Sequence, residues 1–298
     1  MTWTMFAIAG CLTMVAGCST KESVNAQRQR LIHLLEREAR SNTGWVRIHA
    51  ADALLDHGQC QTAADLLRAE AGTAGPPYRI GVWRVLARAS GTAEERLDFR
   101  ERIRRALLNP QAPDRLNAAE SLAKLGLAPP ADRAAIRQWL AEVDEAASAY
   151  ALWLLVLSGN SSERAGDETR LANLLDSANG AARLRAAFAL GRIQPVSAAT
   201  FGKLKARLAS EPGDSPARPY IIGAVLLHSP GDSTLAADLR RQLAGYLDKG
   251  KPNEQLEVAT VLGRRGTSAE VTGLTRLLEN PEADARIGAA NGLLYLLQ

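Results

Sequence analysis

The chain has 298 residues, of which 46% are hydrophobic, 23% charged and only 5% aromatic. These fractions exclude wholesale disorder and collagen-like fibres, and the richness in Ala, Leu and Arg favours helices. With 36 Lys and Arg against 32 Asp and Glu, the net charge is +4, too small to argue for nucleic acid by itself. Length alone points to about two domains.

Residues 1–17 carry no charge. The apolar stretch is interrupted by Gly10 and is shorter than the roughly 20 residues of a membrane span, so it predicts the apolar region of an export signal. Val15-Ala16-Gly17-Cys18 then resembles the lipobox of bacterial lipoproteins. That resemblance implies cleavage after Gly17, a lipidated Cys18 as first mature residue, and a tether over 18–25. No Lys or Arg precedes the apolar stretch, a departure from the family's pattern. By the same resemblance, Ser19 after the cysteine implies sorting to the outer membrane, facing the periplasm. Each buried CH2 of an acyl chain contributes about 0.8 kcal/mol, so two or three chains make a firm anchor. Cleavage removes Cys11 and lipidation consumes Cys18. Cys60 is then left without a partner for an internal disulfide and is expected as a buried, inert thiol.

The segment 26–40 carries Leu31, Leu34 and Leu35 among charges and predicts an N-terminal cap helix. From there onward one unit recurs. Four copies share Arg-x-x-Ala-Ala-x-x-Leu, beginning at Arg47, Arg115, Arg183 and Arg286. Weaker copies fill the gaps. The anchors, at the first Ala of the motif, are Ala50, Val82, Ala118, Tyr150, Ala186, Ile222, Val258 and Ala289. A leucine stands four residues after every one of them, from Leu54 to Leu293. That spacing puts anchor and leucine on one helix face. Gly58, Gly91, Gly126, Gly159, Gly231 and Gly266 follow as helix stops. A second apolar-periodic stretch comes after each first helix, over 62–69, 94–107, 131–143, 168–175, 198–208, 234–247 and 269–278. No stretch alternates with period two over a strand length.

Helix pairs of this kind bury their apolar faces only by stacking. The unit resembles the HEAT repeat, especially the short-unit variety of phycobilisome lyases. The motif Arg-x-x-Ala-Ala-x-x-Leu and the second-helix run Leu274-Thr-Arg-Leu-Leu278 carry that resemblance. It implies an all-α fold, a single α-solenoid superhelix of about eight stacked helix-turn-helix repeats over 26–298, in place of two domains. Ala147, Pro219 and Gln255 stand where the family's arginine is expected in units four, six and seven. Residues 149–157 are apolar apart from the Tyr150 hydroxyl and predict a buried central helix. The eighth unit shows no second helix before Gln298, so its last helix is expected to close on unit seven. The alternative is an exposed face suited to a partner or a second copy.

Groups that could carry chemistry are sparse. His33, His49, His57 and His228 lack metal-ligand spacing, and His49 and His57 are expected at the surface or at caps. A Gly-rich phosphate loop, a Gly-x-Ser-x-Gly elbow and His-Glu-x-x-His are missing. No catalytic residue, metal or cofactor is therefore expected. Trp45, Trp83, Trp139 and Trp153 fall at helical spacing and read as core.

Arg47, Arg79, Arg115, Arg183 and Arg286 lie three residues before their anchors. The HEAT resemblance implies a structural role for them, paired with acids or carbonyls of the adjacent unit. A second basic column follows the anchors by 18 or 19 residues: Arg68, Arg100, Arg137, Lys205, Arg240 and Arg276. HEAT second helices line the concave face, so the column predicts a basic ladder with rungs about 10 Å apart. It is a candidate surface for an acidic protein segment or an anionic glycan. The alternative is a solvated face whose arginine stems cover the leucine stripe. The expected function is a non-enzymatic, membrane-anchored scaffold that binds other proteins in the bacterial cell envelope. The other readings are an accessory enzyme, like the lyases with these repeats, and a binder of anionic glycan. Export speaks against nucleic acid as a partner.

Overall fold

The computed structural model describes the backbone from residue 7 and side chains from residue 23. The signal segment 1–17 and the lipid attachment at Cys18 therefore lie outside the residues whose side chains are described.

Among the described residues the chain is all-helical, with sixteen α-helices and no strand. These are α1 (Ala7–Ser41), α2 (Gly44–Asp56), α3 (Cys60–Leu67), α4 (Tyr78–Ala89), α5 (Ala93–Leu108), α6 (Arg115–Lys124), α7 (Arg133–Glu142) and α8 (Glu145–Ser158). They continue as α9 (Ser161–Asn173), α10 (Gly180–Leu190), α11 (Ala198–Ser210), α12 (Arg218–His228), α13 (Thr234–Lys249), α14 (Pro252–Arg265), α15 (Val271–Leu277) and α16 (Ala283–Leu296). No described helix is long and apolar enough to cross a membrane. The segment 26–40, expected as a cap helix, lies within α1.

Even-numbered helices form an inner layer and odd-numbered helices an outer one. Along the inner layer α2 packs on α4, and each even-numbered helix packs on the next as far as α16, which in turn packs on α2. The helices thus close into a ring around a central axis. Helix α1 packs on both α16 and α2, in the place an outer helix takes between two inner ones. The inner helices run parallel. Arg84 of α4 reaches Asp52 of α2 and Ser121 of α6, while Gly288 and Gly292 of α16 lie against Leu256 and Ala259 of α14.

The layers follow from composition. The inner helices are apolar on most sides, as α8 illustrates: every residue from Ala149 to Val156 is buried. Such a helix is stable only with neighbours all round it. The outer helices keep one apolar stripe and turn a charged face to solvent. In α13 the stripe is Ala236, Leu239, Leu243 and Leu247.

Helix ends are set by local chemistry. Gly58 and Gly126 adopt φ of +80° and +66° just beyond α2 and α6, a conformation that favours glycine. Helix α9 begins at Ser161, ahead of the apolar stretch that starts at 168. Its start is fixed by a capping box, in which the Asn160 side chain accepts from the Glu163 N–H and the Glu163 carboxylate from the Asn160 N–H. The last helix does not offer a free face. In α16 every residue from Ile287 to Leu294 is buried, and its glycines bring it into backbone contact with α14. A Cβ on Gly292 would sit 2.5 Å from the Ala259 carbonyl oxygen.

The arginines before the anchors tie units together. Arg47 Nε donates to the carbonyls of Ala39 and Asn42 at 2.9 and 3.0 Å, and Arg115 Nε to Leu107 O at 2.7 Å. Arg79 pairs with Asp114, Arg183 with Glu211, and Arg286 with Glu38. Where the motif lapses, other groups take over. The Gln255 amide donates to Leu247 O at 2.9 Å, and Arg218, beside Pro219, reaches Glu211 O at 2.5 Å. One expectation needs correction. Cys60 is exposed at the first turn of α3, because its turn faces solvent. His57 stands at the C-cap of α2, one of the two places expected for it, and is buried there against α16 because ring closure covers it.

Candidate functional site: the central cavity

The inner helices enclose a cavity of about 570 Å³, within the range of small-ligand sites. A side recess of about 170 Å³ shares Arg192, Glu257, Thr260 and Arg264 with it. Two repeat positions supply half of its wall. Two residues after the anchor come Asp52, Arg84, Glu120, Phe188, Thr260 and Asn291; six after it come Asp56, Arg88, Lys124, Arg192 and Arg264. These positions lie four apart, so each helix presents both on one stripe, and ring closure turns that stripe to the axis.

The lining carries five cationic side chains, Arg84, Arg88, Lys124, Arg192 and Arg264, against four carboxylates, Asp52, Asp56, Glu120 and Glu257. They are matched to one another. Arg84, only 3% exposed, pairs with Asp52 and donates to the Ser121 hydroxyl. Arg88 bridges Asp52 at 3.1 Å and Asp56 at 2.6 Å. Asp56 also accepts from Tyr295 at 2.8 Å and Arg264 at 3.2 Å. Lys124 pairs with Glu120 at 2.7 Å. Arg192, in the turn just beyond α10, reaches across α12 to grip Glu257 of α14 with two nitrogens, at 2.8 and 3.1 Å. Buried charges demand such partners.

Burial pushes the Asp52 carboxyl up, but Arg84 and Arg88 outweigh it and hold Asp52 below its ordinary range. Lys124 likewise outweighs burial at Glu120 and lowers it. Burial pulls the Lys124 ammonium down against the attraction of Glu120.

One side of the wall is aromatic. The Phe188 ring lies 6.4 Å from Tyr150, 6.2 Å from Trp153 and 6.4 Å from Tyr220. The Arg192 guanidinium sits 3.4 Å from the Phe188 centroid and the Lys124 ammonium 5.2 Å. Trp139 and Trp153 are buried, whereas Trp45 and Trp83 pack at the edge of the core. Trp83 donates its indole N–H to Ala71 O at 2.9 Å.

The basic column is elsewhere. Arg68, Arg100, Arg137, Lys205, Arg240 and Arg276 lie on the outer helices or, for Arg68, just after one, and none lines the cavity. Arg68 pairs with Glu95, Arg137 with Asp167 at 3.2 Å, and Arg276 with Asp248. Arg240 donates to Gly231 O at 2.9 Å, Lys205 lies over Phe201 at 5.0 Å, and Arg100 is half-buried on α5. The expectation that second helices line the inner face is thus corrected. The first helices, apolar on most sides, take the inner layer. The cavity residues were visible as charges at fixed offsets on otherwise apolar helices. That signal is missed when the second helix is taken as the inner one.

His49 lines the cavity and contacts Asp284 at 2.9 Å. Among the described residues no group of three His, Cys, Asp or Glu side chains could hold a metal ion. No protein-family model matches the chain, and no curated protein matches it either.

Proposed function

We propose that the chain is a ring of about eight HEAT-like repeats, carried by a bacterial lipoprotein, that holds other proteins in the cell envelope and is not an enzyme. The observation that carries this reading is the central cavity. Its charges are fixed on parallel helices and matched in pairs, which suits recognition of a ligand by a preorganised polar wall. The resemblance of residues 15–18 to a lipobox supports attachment through Cys18, and Ser19 supports the outer membrane, facing the periplasm. The outer cations Arg68, Arg100, Arg137, Lys205, Arg240 and Arg276 remain candidate contacts for a protein partner or an anionic glycan. Nucleic acid does not fit an exported protein.

Crosslinking in intact cells, followed by purification from membranes, tests the scaffold role. A protein partner should be recovered, and its absence sinks the reading. A Cys18→Ser variant should be released from membranes; if it stays bound equally well, the anchor is wrong.

A second reading, an accessory enzyme, is favoured by the Lys124–Glu120 pair, 2.7 Å apart in the cavity. The depressed lysine could move a proton. A Lys124→Met variant that keeps full partner binding in cells yet loses the cellular function would favour it.

A further inference from the structure

We propose that the Tyr150–Tyr220 side of the central cavity binds the free C-terminal carboxylate of a partner protein's chain. This rests on the reading of the protein as a holder of other proteins and names what it would hold.

Each carboxylate of the cavity already has a cation. The unfilled capacity lies with donors. Tyr150 and Tyr220 are 9% and 8% exposed and line the cavity. Neither hydroxyl has a hydrogen-bond partner among the described residues, and neither is sealed off from open space. Phe188 stands between them, 6.4 Å from each ring. Burial, with Glu120 near one phenol and Glu257 near the other, holds both well above the ordinary tyrosine range. Both therefore remain O–H donors at neutral pH. Arg185 adds a cation. Its guanidinium lies 5.6 Å from the Tyr150 ring and pairs with no carboxylate among the described residues. It occupies the repeat position of His49 and Glu257, which line the cavity, but stands behind Tyr150 and is not itself a lining residue.

Two O–H donors on one wall, with a guanidinium behind one of them, call for an anionic acceptor with several lone pairs, and a carboxylate supplies them. Ring closure adds a constraint. The inner helices pack edge to edge all round, so a ligand enters along the axis. A cavity of about 570 Å³ takes only a few residues of peptide. A chain end enters such a space in single file, whereas a loop must enter doubled. A chain end also brings its carboxylate with it.

The test is titration calorimetry on the full chain with acetyl-Ala-Ala-Ala as the free acid and as the C-terminal amide. The acid should bind, and the amide should bind at least about tenfold more weakly, as loss of a charge-assisted contact requires. Tyr150→Phe and Tyr220→Phe keep the rings and should each weaken the acid roughly fivefold. Arg185→Gln, nearer the surface, should do the same and serves if a tyrosine variant fails to fold. Equal binding of acid and amide overturns the proposal, as does unchanged binding in all three variants. Binding of glucuronate without the peptide acid also overturns it, in favour of a sugar acid. If the peptide acid binds but no protein crosslinks in cells, the scaffold reading fails and the carboxylate site stands. If a protein crosslinks but the peptide does not bind, the reverse holds.

Discussion

Glu38 and Arg286 join across 248 residues of sequence, with Arg286 Nε and Nη2 lying 2.9 and 2.8 Å from the two carboxylate oxygens. The pair links α1 to α16 and so helps close the ring. Glu38 is only 3% exposed. Burial pushes its carboxyl up, but hydrogen bonds and charge from Arg286 prevail and hold it below the ordinary range. Arg28 adds a second tie, donating to Leu294 O at 3.3 Å.

Breaking the pair from one side should be severe. Glu38→Ala leaves Arg286 facing a hole and should cost about 3 kcal/mol, as for other buried pairs. Arg286→Ala should cost at least as much, because it strands a buried carboxylate. Chemical denaturation of the single and double variants checks this. The double variant should lose less than the sum of the singles; strict additivity would mean the two groups do not interact.

The contact between α14 and α16 gives a steric prediction. Gly292→Ala places a Cβ 2.5 Å from the Ala259 carbonyl oxygen, and Gly263→Ala places one 2.5 Å from Gly292 Cα. Backbone cannot yield as a side-chain tip can. Each variant should lose about 2 kcal/mol or more. Gly202→Ala in α11 meets nothing within 4 Å and should gain about 0.5–1 kcal/mol from helix propensity. Thermal melts of the three variants decide it.

The helix pairs were legible because anchor and leucine repeat at fixed spacing, and six of the seven second helices begin within a few residues of the expected place. Helix α9 begins seven residues before its apolar stripe, because the Asn160 capping box and not the stripe sets its start. Ring closure was not legible. It depends on contacts such as Glu38–Arg286 and His57–Asn291, whose partners share no motif and sit at opposite ends of the chain. Without closure, the charges of Asp56, Arg88 and Lys124 look like ordinary solvated positions.

The arginine column carries its own prediction. Arg115 Nε donates to Leu107 O at 2.7 Å, and its guanidinium lies 5.0 Å from the Trp139 centroid. Arg115→Ala leaves that carbonyl unpaired and should cost about 2 kcal/mol. Gln255 serves the same kind of carbonyl at Leu247, so Gln255→Arg should be tolerated within about 1 kcal/mol. Equal losses for the two substitutions would show that the position does not have a common role.

Acidification should weaken the fold in two stages. His57 is 9% exposed, its Nε2 is 2.8 Å from Asn291 Oδ1 and its Nδ1 3.4 Å from Gln298 Nε2. Burial lowers its pKa, and the contact with Asn291 opposes this without overcoming it. The neutral ring fits, with Nε2–H donating to Asn291. The folded chain then binds fewer protons than the unfolded chain, whose histidine titrates near 6.5. Stability from His57 is therefore full above about pH 6.5 and falls as pH drops below it. Glu38 and Glu211 are also depressed, because arginine hydrogen bonds overcome their burial. Their contribution is full above the unfolded carboxylate range, near 4.3, and is lost only below it. Melting temperatures recorded from pH 8 to pH 3 should show a first decline beginning near 6.5 and a steeper one below about 4.3. His57→Gln, which cannot titrate, should remove the first decline and leave the second. A wild-type profile that is flat between pH 7 and pH 5 would contradict the placement of His57 in the closing seam.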